Sequence, residues 1–332
     1  MAFQLGIPGA SAILTMATHA SESIMSTLYV THPAFRDHLV TPGHPERPER
    51  MRAVEQAMEA EAFQALARVE APLAEAAVAT LAHPEAFVEA LDRVRPREGM
   101  VRIDGDTTMS PGTWEALLRA LGASTLAVDE VVGGRARNAF CAMRPPGHHA
   151  EQTTAMGFCF FNFAVVAARH AQKAHGVEKV AIVDFDVHHG NGTQAIVWDD
   201  PSIMYASTHQ MPLFPGTGAR SETGVGNIVN CPMRGGDGGD KFREAFDDAI
   251  LPSLRTFSPD LIVISAGFDA HARDPLGGLM LRDTDYAWMT QELMGVADET
   301  AGGRVVSILE GGYDLTGLAQ STAAHVRALM RG

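Results

Sequence analysis

The chain has 332 residues, 46% of them hydrophobic, enough to bury the core of one large α/β domain or two ordinary ones. Its 26 Lys and Arg against 40 Asp and Glu give a formal charge of -14, which repels phosphate backbones, so direct nucleic-acid binding is not expected. Only Cys141, Cys159 and Cys231 are present, with no CxxC pair, which excludes a disulfide framework or thiolate zinc knuckle and fits a reducing cytoplasm.

The first positive charge is Arg36, so the apolar start lacks the basic flank of a secretory signal, and no run approaches membrane-spanning length; neither export nor insertion is expected. Residues 1 to 24 are read as an N-terminal extension, a tag or a disordered arm, and residues 25 to 332 as one domain. In chain order, apolar runs at 27–30, 138–143, 179–185, 202–207, 261–265 and 304–309 lack polar alternation, as strands of a parallel sheet covered on both faces do. Helical patterns occupy 49–69, 111–134, 161–176, 241–257 and 285–303. Strand alternating with helix predicts a doubly wound, parallel, three-layer α/β fold. The Gly-rich 235–240 reads as a surface turn.

Ligands of open parallel sheets sit beyond the carboxyl ends of the strands. Four runs leave the sheet through small or turn-forming residues into ionisable ones: 138–143 into His148 and His149, 179–183 into Asp184, Asp186 and His188, 261–265 into Asp269 and His271, and 304–309 into Glu310 and Tyr313. In parallel strands all four exits share one edge. Asp184, Asp186 and His188 alternate with Phe185 and Val187, so the polar set shares one face. A buried carboxylate costs several kcal/mol unless paired or metal-bound. A divalent cation satisfies Asp186 and His188 together, and Asp269 is the best third ligand, leaving a position open for water as catalytic sites do. The donor set suits Zn²⁺, with Fe²⁺ as the alternative. His189 and His271 are read as supporting or structural, and His19, His32, His38, His83, His170, His175 and His325 are given no role.

The motifs RPPGHHAE (144–151), GFCFFNF (157–163), DFDVHHGNGTQ (184–194), FPGTG (214–218), SAGFDAH (265–271), DPLGG (274–278) and LEGGYDL (309–315), with HPERPER (44–50) before them, resemble the zinc-dependent histone deacetylase family of the arginase/deacetylase fold. The resemblance is to its class II branch and bacterial deacetylase-like amidohydrolases. It implies zinc ligation by Asp186, His188 and Asp269, tandem active-site histidines His148 and His149 oriented by Asp184 and Asn191, and a catalytic tyrosine at Tyr313. It further implies an acyl-lysine tunnel walled by Phe158 and Phe214, lined by Gly157 and rimmed by Leu276, and a structural K⁺ near Asp184, Asp186, His188 and Ser207. The implied reaction is hydrolysis of N-acetyl-lysine-like amides by activated water, with His149 moving the proton and Tyr313 donating to the oxyanion. The expected partner is an acylated lysine or small amide; self-association stays open.

Arginases of this fold bind two manganese ions through Asp-x-His-x-Asp, but Gly190 stands at the last position, so a mononuclear site is expected. Acetylpolyamine hydrolases share the chemistry and suit the acidic charge, whereas Leu276 stands where some of them carry a gatekeeper Glu. The inserted stretch 91–109 is left open as a source of acid. No rim aspartate is recognised, with Met109 in that region. A non-catalytic acyl-lysine binder is disfavoured by the presence of Tyr313, His149 and all three ligands.

Overall fold

The computed structural model describes residues 1–2 and 26–332. The expectation of an extension over residues 1 to 24, and His19 within it, therefore lies outside the described residues apart from residues 1 and 2.

The chain opens with β1 (Leu28–Thr31), α1 (Glu49–Met58), β2 (Ala67–Glu70) and α2 (Glu85–Val94), followed by a small excursion of β3 (Val101–Arg102) and β4 (Thr108–Met109). It continues through α3 (Thr113–Val132), β5 (Asn138–Cys141), α4 (Phe163–His175), β6 (Val180–Asp184), α5 (Asn191–Val197), β7 (Ile203–Gln210) and β8 (Ile228–Met233). The last third holds α6 (Gly239–Ala245), α7 (Leu251–Phe257), β9 (Leu261–Ala266), α8 (Asp283–Thr300), β10 (Val305–Leu309) and α9 (Leu315–Leu329).

Eight strands form one sheet in the order β2-β1-β5-β10-β9-β6-β7-β8, and every pairing in it is parallel. Helices α3 and α4 cover one face; α1, α8 and α9 cover the other. The period-2 alternation of a strand shows which residues face which layer. In β5, Asn138 Nδ2 donates to the Leu329 carbonyl of α9 and Phe140 packs on His325, while Cys141 Sγ points to the Ala123 carbonyl of α3. With both faces covered, β5, β6, β9 and β10 are buried throughout, which is why they read as near-continuous apolar runs. No helix among the described residues is long and apolar enough to cross a membrane.

Two helical expectations change. The 49–69 pattern is α-helical only to Met58, with a short 3-10 turn at Glu61–Phe63; Ala67–Glu70 instead pairs in parallel with β1, Leu28 opposite Ala67 and Thr31 opposite Glu70. Without this strand the outer edge of β1 would leave backbone groups unpaired, and satisfying them overrides the Ala-rich helical propensity of the segment. The 241–257 stretch is helical but contains a π-turn at Phe246–Ile250. Pro252 follows it, and a wider turn accommodates the missing N–H and the ring at that point. Strand β8 and helices α2, α5 and α9 lie outside the expected elements, although α2 buries Val88 and Leu91 at helical spacing on one face.

Candidate active site

The four strands with ionisable exits, β5, β10, β9 and β6, are consecutive in the sheet. Their following loops meet above one edge, and Asp184, the last residue of β6, begins the densest of them.

Asp186, His188 and Asp269 are buried, with one ligand atom from each lying within 4.8 Å of the others. His188 Nδ1 stands 3.1 Å from Asp186 Oδ1 and 3.1 Å from Asp269 Oδ2. The remaining carboxylate oxygens are held by backbone: Asp186 Oδ2 accepts from Gly311 N at 2.9 Å, and Asp269 Oδ1 from Val187 N at 2.7 Å. Glycine is required beside them. A Cβ on Gly267 would lie 2.1 Å from Asp186 Oδ2, and one on Gly311 would lie 2.3 Å from Asp269 Oδ2.

Burial disfavours charge on His188, yet the carboxylates of Asp186 and Asp269 outweigh it and raise the imidazole to about 10. Burial and then the Asp186 charge push Asp269 up to about 7. The two carboxylates thus favour a positive charge placed between them, as a cradle for a cation does. Two carboxylate oxygens and one imidazole nitrogen fit Zn²⁺ or Fe²⁺.

His148 and His149 stack with ring centroids 4.0 Å apart but sit in opposed environments. His148 Nδ1 lies 3.0 Å from Asp184 Oδ2, which also accepts from the Tyr205 hydroxyl. Burial alone would lower the His148 pKa; Asp186 and Asp184 overcome it and hold the ring well above the usual imidazole range. His149 is driven well below that range by burial and by the neighbouring His148 and His188. Its Nδ1 is 2.8 Å from Asn191 Oδ1, while Asn191 Nδ2 donates to Glu151 Oε1 at 2.8 Å. A carboxylate only accepts, so Glu151 orients the Asn191 amide, whose oxygen in turn places the proton of His149 on Nδ1. Nε2 is left with a lone pair on the cavity side.

That cavity, of about 270 Å³, is lined by His149, Gly157, Phe158, His188, Phe214, Leu276 and Tyr313, and also by Leu213 and Asp106. All four residues expected to form the tunnel therefore face one space. Gly157 adopts φ 57°, and a Cβ there would lie 2.5 Å from His149 Cδ2, so both the backbone and the space require glycine. Phe158 is left-handed at φ 70°, a strained state for an aromatic residue. Its N–H is held by Thr107 Oγ1 at 3.0 Å, and its ring packs edge-on against His44 and Tyr313.

Met109 is fully buried and does not form the rim; exposed Asp106, on the turn between β3 and β4, lines the cavity instead. The stretch 91–109 therefore does supply an acid. Behind Tyr313 lies a fully buried network of Glu46, Arg50 and Arg144. Arg144 grips Glu46 through Nε at 2.6 Å and Nη2 at 2.7 Å, and Arg50 Nη1 donates to the same carboxylate at 2.9 Å. The Arg50 guanidinium also sits 4.9 Å from the Tyr313 ring centroid. Glu310 accepts from Gly147 N and His148 N, tying the tandem-histidine loop to the β10 exit. His189 links the β6 exit to the 214–218 loop through Thr217 Oγ1 at 2.8 Å.

The histone deacetylase domain model matches residues 44–329. "Histone deacetylase 10, chloroplastic" of Oryza sativa subsp. japonica is 42% identical over 264 residues, 75% of this chain; the chain spans only 60% of that protein's length. "Histone deacetylase-like amidohydrolase" of Pseudomonas aeruginosa is 38% identical over 277 residues, covering 82% of this chain and 73% of that protein. The crystal structure of the HDA15 HD domain superposes with a TM-score of 0.87 at 36% identity, covering 92% of this chain and 88% of that one.

Proposed function

The chain belongs to the histone deacetylase family, and from that premise we propose that it is a metal-dependent amidohydrolase removing acetyl or other acyl groups from N-acyl-lysine-like amides. The observation that carries the reading is the buried Asp186, His188 and Asp269 cluster, with His188 lining the same cavity as His149 and Tyr313. Asp186, His188 and Asp269 would hold Zn²⁺, or Fe²⁺ on the same donors. A bound ion of this kind supplies Lewis acidity towards the amide carbonyl and lowers the pKa of its water.

The chain's own groups do the rest. His149 Nε2 accepts the proton of the attacking water and returns it to the leaving amine nitrogen, a role that requires the neutral ring its environment favours. His148, held as a cation between Asp184 and Asp186, stabilises negative charge developing nearby. The Tyr313 hydroxyl stays protonated, because burial raises its pKa well above 10, and it donates to the carbonyl oxygen. Phe158 and Phe214 exclude water around a linear acyl-lysine stem, and Asp106 accepts from a substrate N–H at the mouth.

An acetylated polyamine or small N-alkyl amide or ester is the alternative substrate of the same chemistry, favoured by Asp106 at the cavity and the charge of -14. A structural K⁺ beside Asp184 and Ser207 is proposed on resemblance alone, and a cytoplasmic location on three unpaired, buried cysteines. A turnover panel of acetyl-lysine peptide, acetylated polyamines and small N-alkyl amides, with metal-loaded and chelated protein, tests the assignment. Chelator-sensitive acetate release is expected; no release from any substrate by metal-loaded protein overturns it.

A further inference from the structure

Away from the tunnel, the ends of two helices bring a second set of ligand-type side chains together. Asp129 lies in the last turn of α3, and His170 and His175 in the last two turns of α4. Asp129 Oδ1 is 2.7 Å from His170 Nε2 and 2.6 Å from His175 Nε2, and the two rings stand edge to face with centroids 5.8 Å apart. All three ligand atoms lie within 4.8 Å of one another. Gly176, left-handed at φ 69°, caps α4 through its N–H on the Ala171 and Gln172 carbonyls and so fixes His175 at the helix end.

Three physical features favour a cation here. Two imidazole nitrogens and one carboxylate oxygen make a donor set for borderline divalent transition ions. Both helices point the negative ends of their dipoles at the cluster, within the turn where that effect is felt. The side chains are 39%, 21% and 25% exposed, so an ion reaches them from solvent and water completes its coordination. Ligands around a tetrahedral ion stand about 3.3 Å apart for bonds of about 2.0 Å. Opening the two present hydrogen bonds, 2.7 and 2.6 Å long, to that spacing lengthens them by about 0.6–0.7 Å, and the third edge, between the two imidazole nitrogens, lies within 4.8 Å.

We propose that Asp129, His170 and His175 form a second, peripheral site for a divalent transition-metal ion of the Zn²⁺ and Cu²⁺ class, clamping the ends of α3 and α4 together. A purely structural triad would use the same hydrogen bonds, so the test must separate ligation from hydrogen bonding. His175→Gln does this, since the amide still donates to Asp129 but offers no nitrogen lone pair.

Full-length wild type and His175→Gln are dialysed against Zn²⁺ and analysed for bound metal, with thermal melting followed in parallel. The variant is expected to hold one equivalent less than wild type and to lose part of the Zn²⁺-dependent rise in Tm. Equal stoichiometry in the two proteins overturns the proposal. Because the readout is a difference, it holds whatever the tunnel site binds. Should His175→Gln fail to fold, Cu²⁺ titration of wild type provides the second test. Nitrogen hyperfine splitting from two imidazoles that is retained in His188→Ala supports the site, and its absence overturns it.

Discussion

Arg50 Nε donates to the carbonyl oxygen of Gly312 at 2.6 Å, so a residue of the first helix holds the peptide immediately before Tyr313. The guanidinium is fully buried and shares the Glu46 carboxylate with Arg144. Removing one partner of a buried ion network leaves charge uncompensated, at a cost of about 3–5 kcal/mol. Arg50→Ala is expected to lose stability on that scale in urea unfolding and to lower kcat through a displaced Tyr313. Unchanged stability and kcat would show the contact to be incidental.

Tyr313→Phe isolates the hydroxyl. The ring still packs against Phe158 and the Arg50 guanidinium, so folding is expected to be unaltered. Loss of one oxyanion donor costs about 10²–10³ in kcat. The expected outcome is a kcat reduced on that scale with KM nearly unchanged and Tm within a degree or two of wild type.

Asn191→Asp tests the tautomer chain from Glu151 to His149. A carboxylate at that position stabilises the imidazolium, raising a pKa that burial and two neighbouring histidines hold well below the ordinary value. Since the ring must be neutral to accept a proton, the acid limb of the kcat/KM profile is expected to move to higher pH. A limb that stays in place, or moves down, would remove His149 as the base.

His325 gives a stability prediction of fixed sign. It lies between Ser307 Oγ at 2.8 Å and Thr290 Oγ1 at 2.7 Å, and burial lowers it to about 3. Below pH 6.5 the unfolded chain binds a proton that the folded one refuses, so stability falls as pH falls towards 3. This group alone makes the protein about 2 kcal/mol less stable at pH 5 than at pH 7. Urea unfolding at both values, with His325→Asn expected to flatten the dependence, checks it.

The central strands are legible in the sequence because burial on both faces removes every charged residue until the sheet ends. That same abruptness makes Asp184, Asp186, His188, Asp269 and Tyr313 visible as a converging set. Asp106 is not legible, since it rides a two-residue-per-strand excursion, β3 and β4, that no periodicity marks. Glu46, Arg50 and Arg144 form one cluster only after folding brings Glu46 beside a residue 98 positions away. The Asp129, His170 and His175 cluster is hidden likewise, because its members look like ordinary solvated positions on two separate helices. Ala67–Glu70 misleads for a tertiary reason: a strand edge waiting for a partner outweighs a local preference.

The adjacency of β5, β10, β9 and β6 carries a last consequence. Asp186, His188, Asp269 and Tyr313 are each anchored within a few residues of the most protected part of the sheet, where opening free energies approach that of global unfolding. The pocket therefore has no private way of coming apart. Heat inactivation is expected to coincide with loss of the whole fold, and amide protons such as those of Val183 and Ile264 to exchange no faster than the molecule itself unravels.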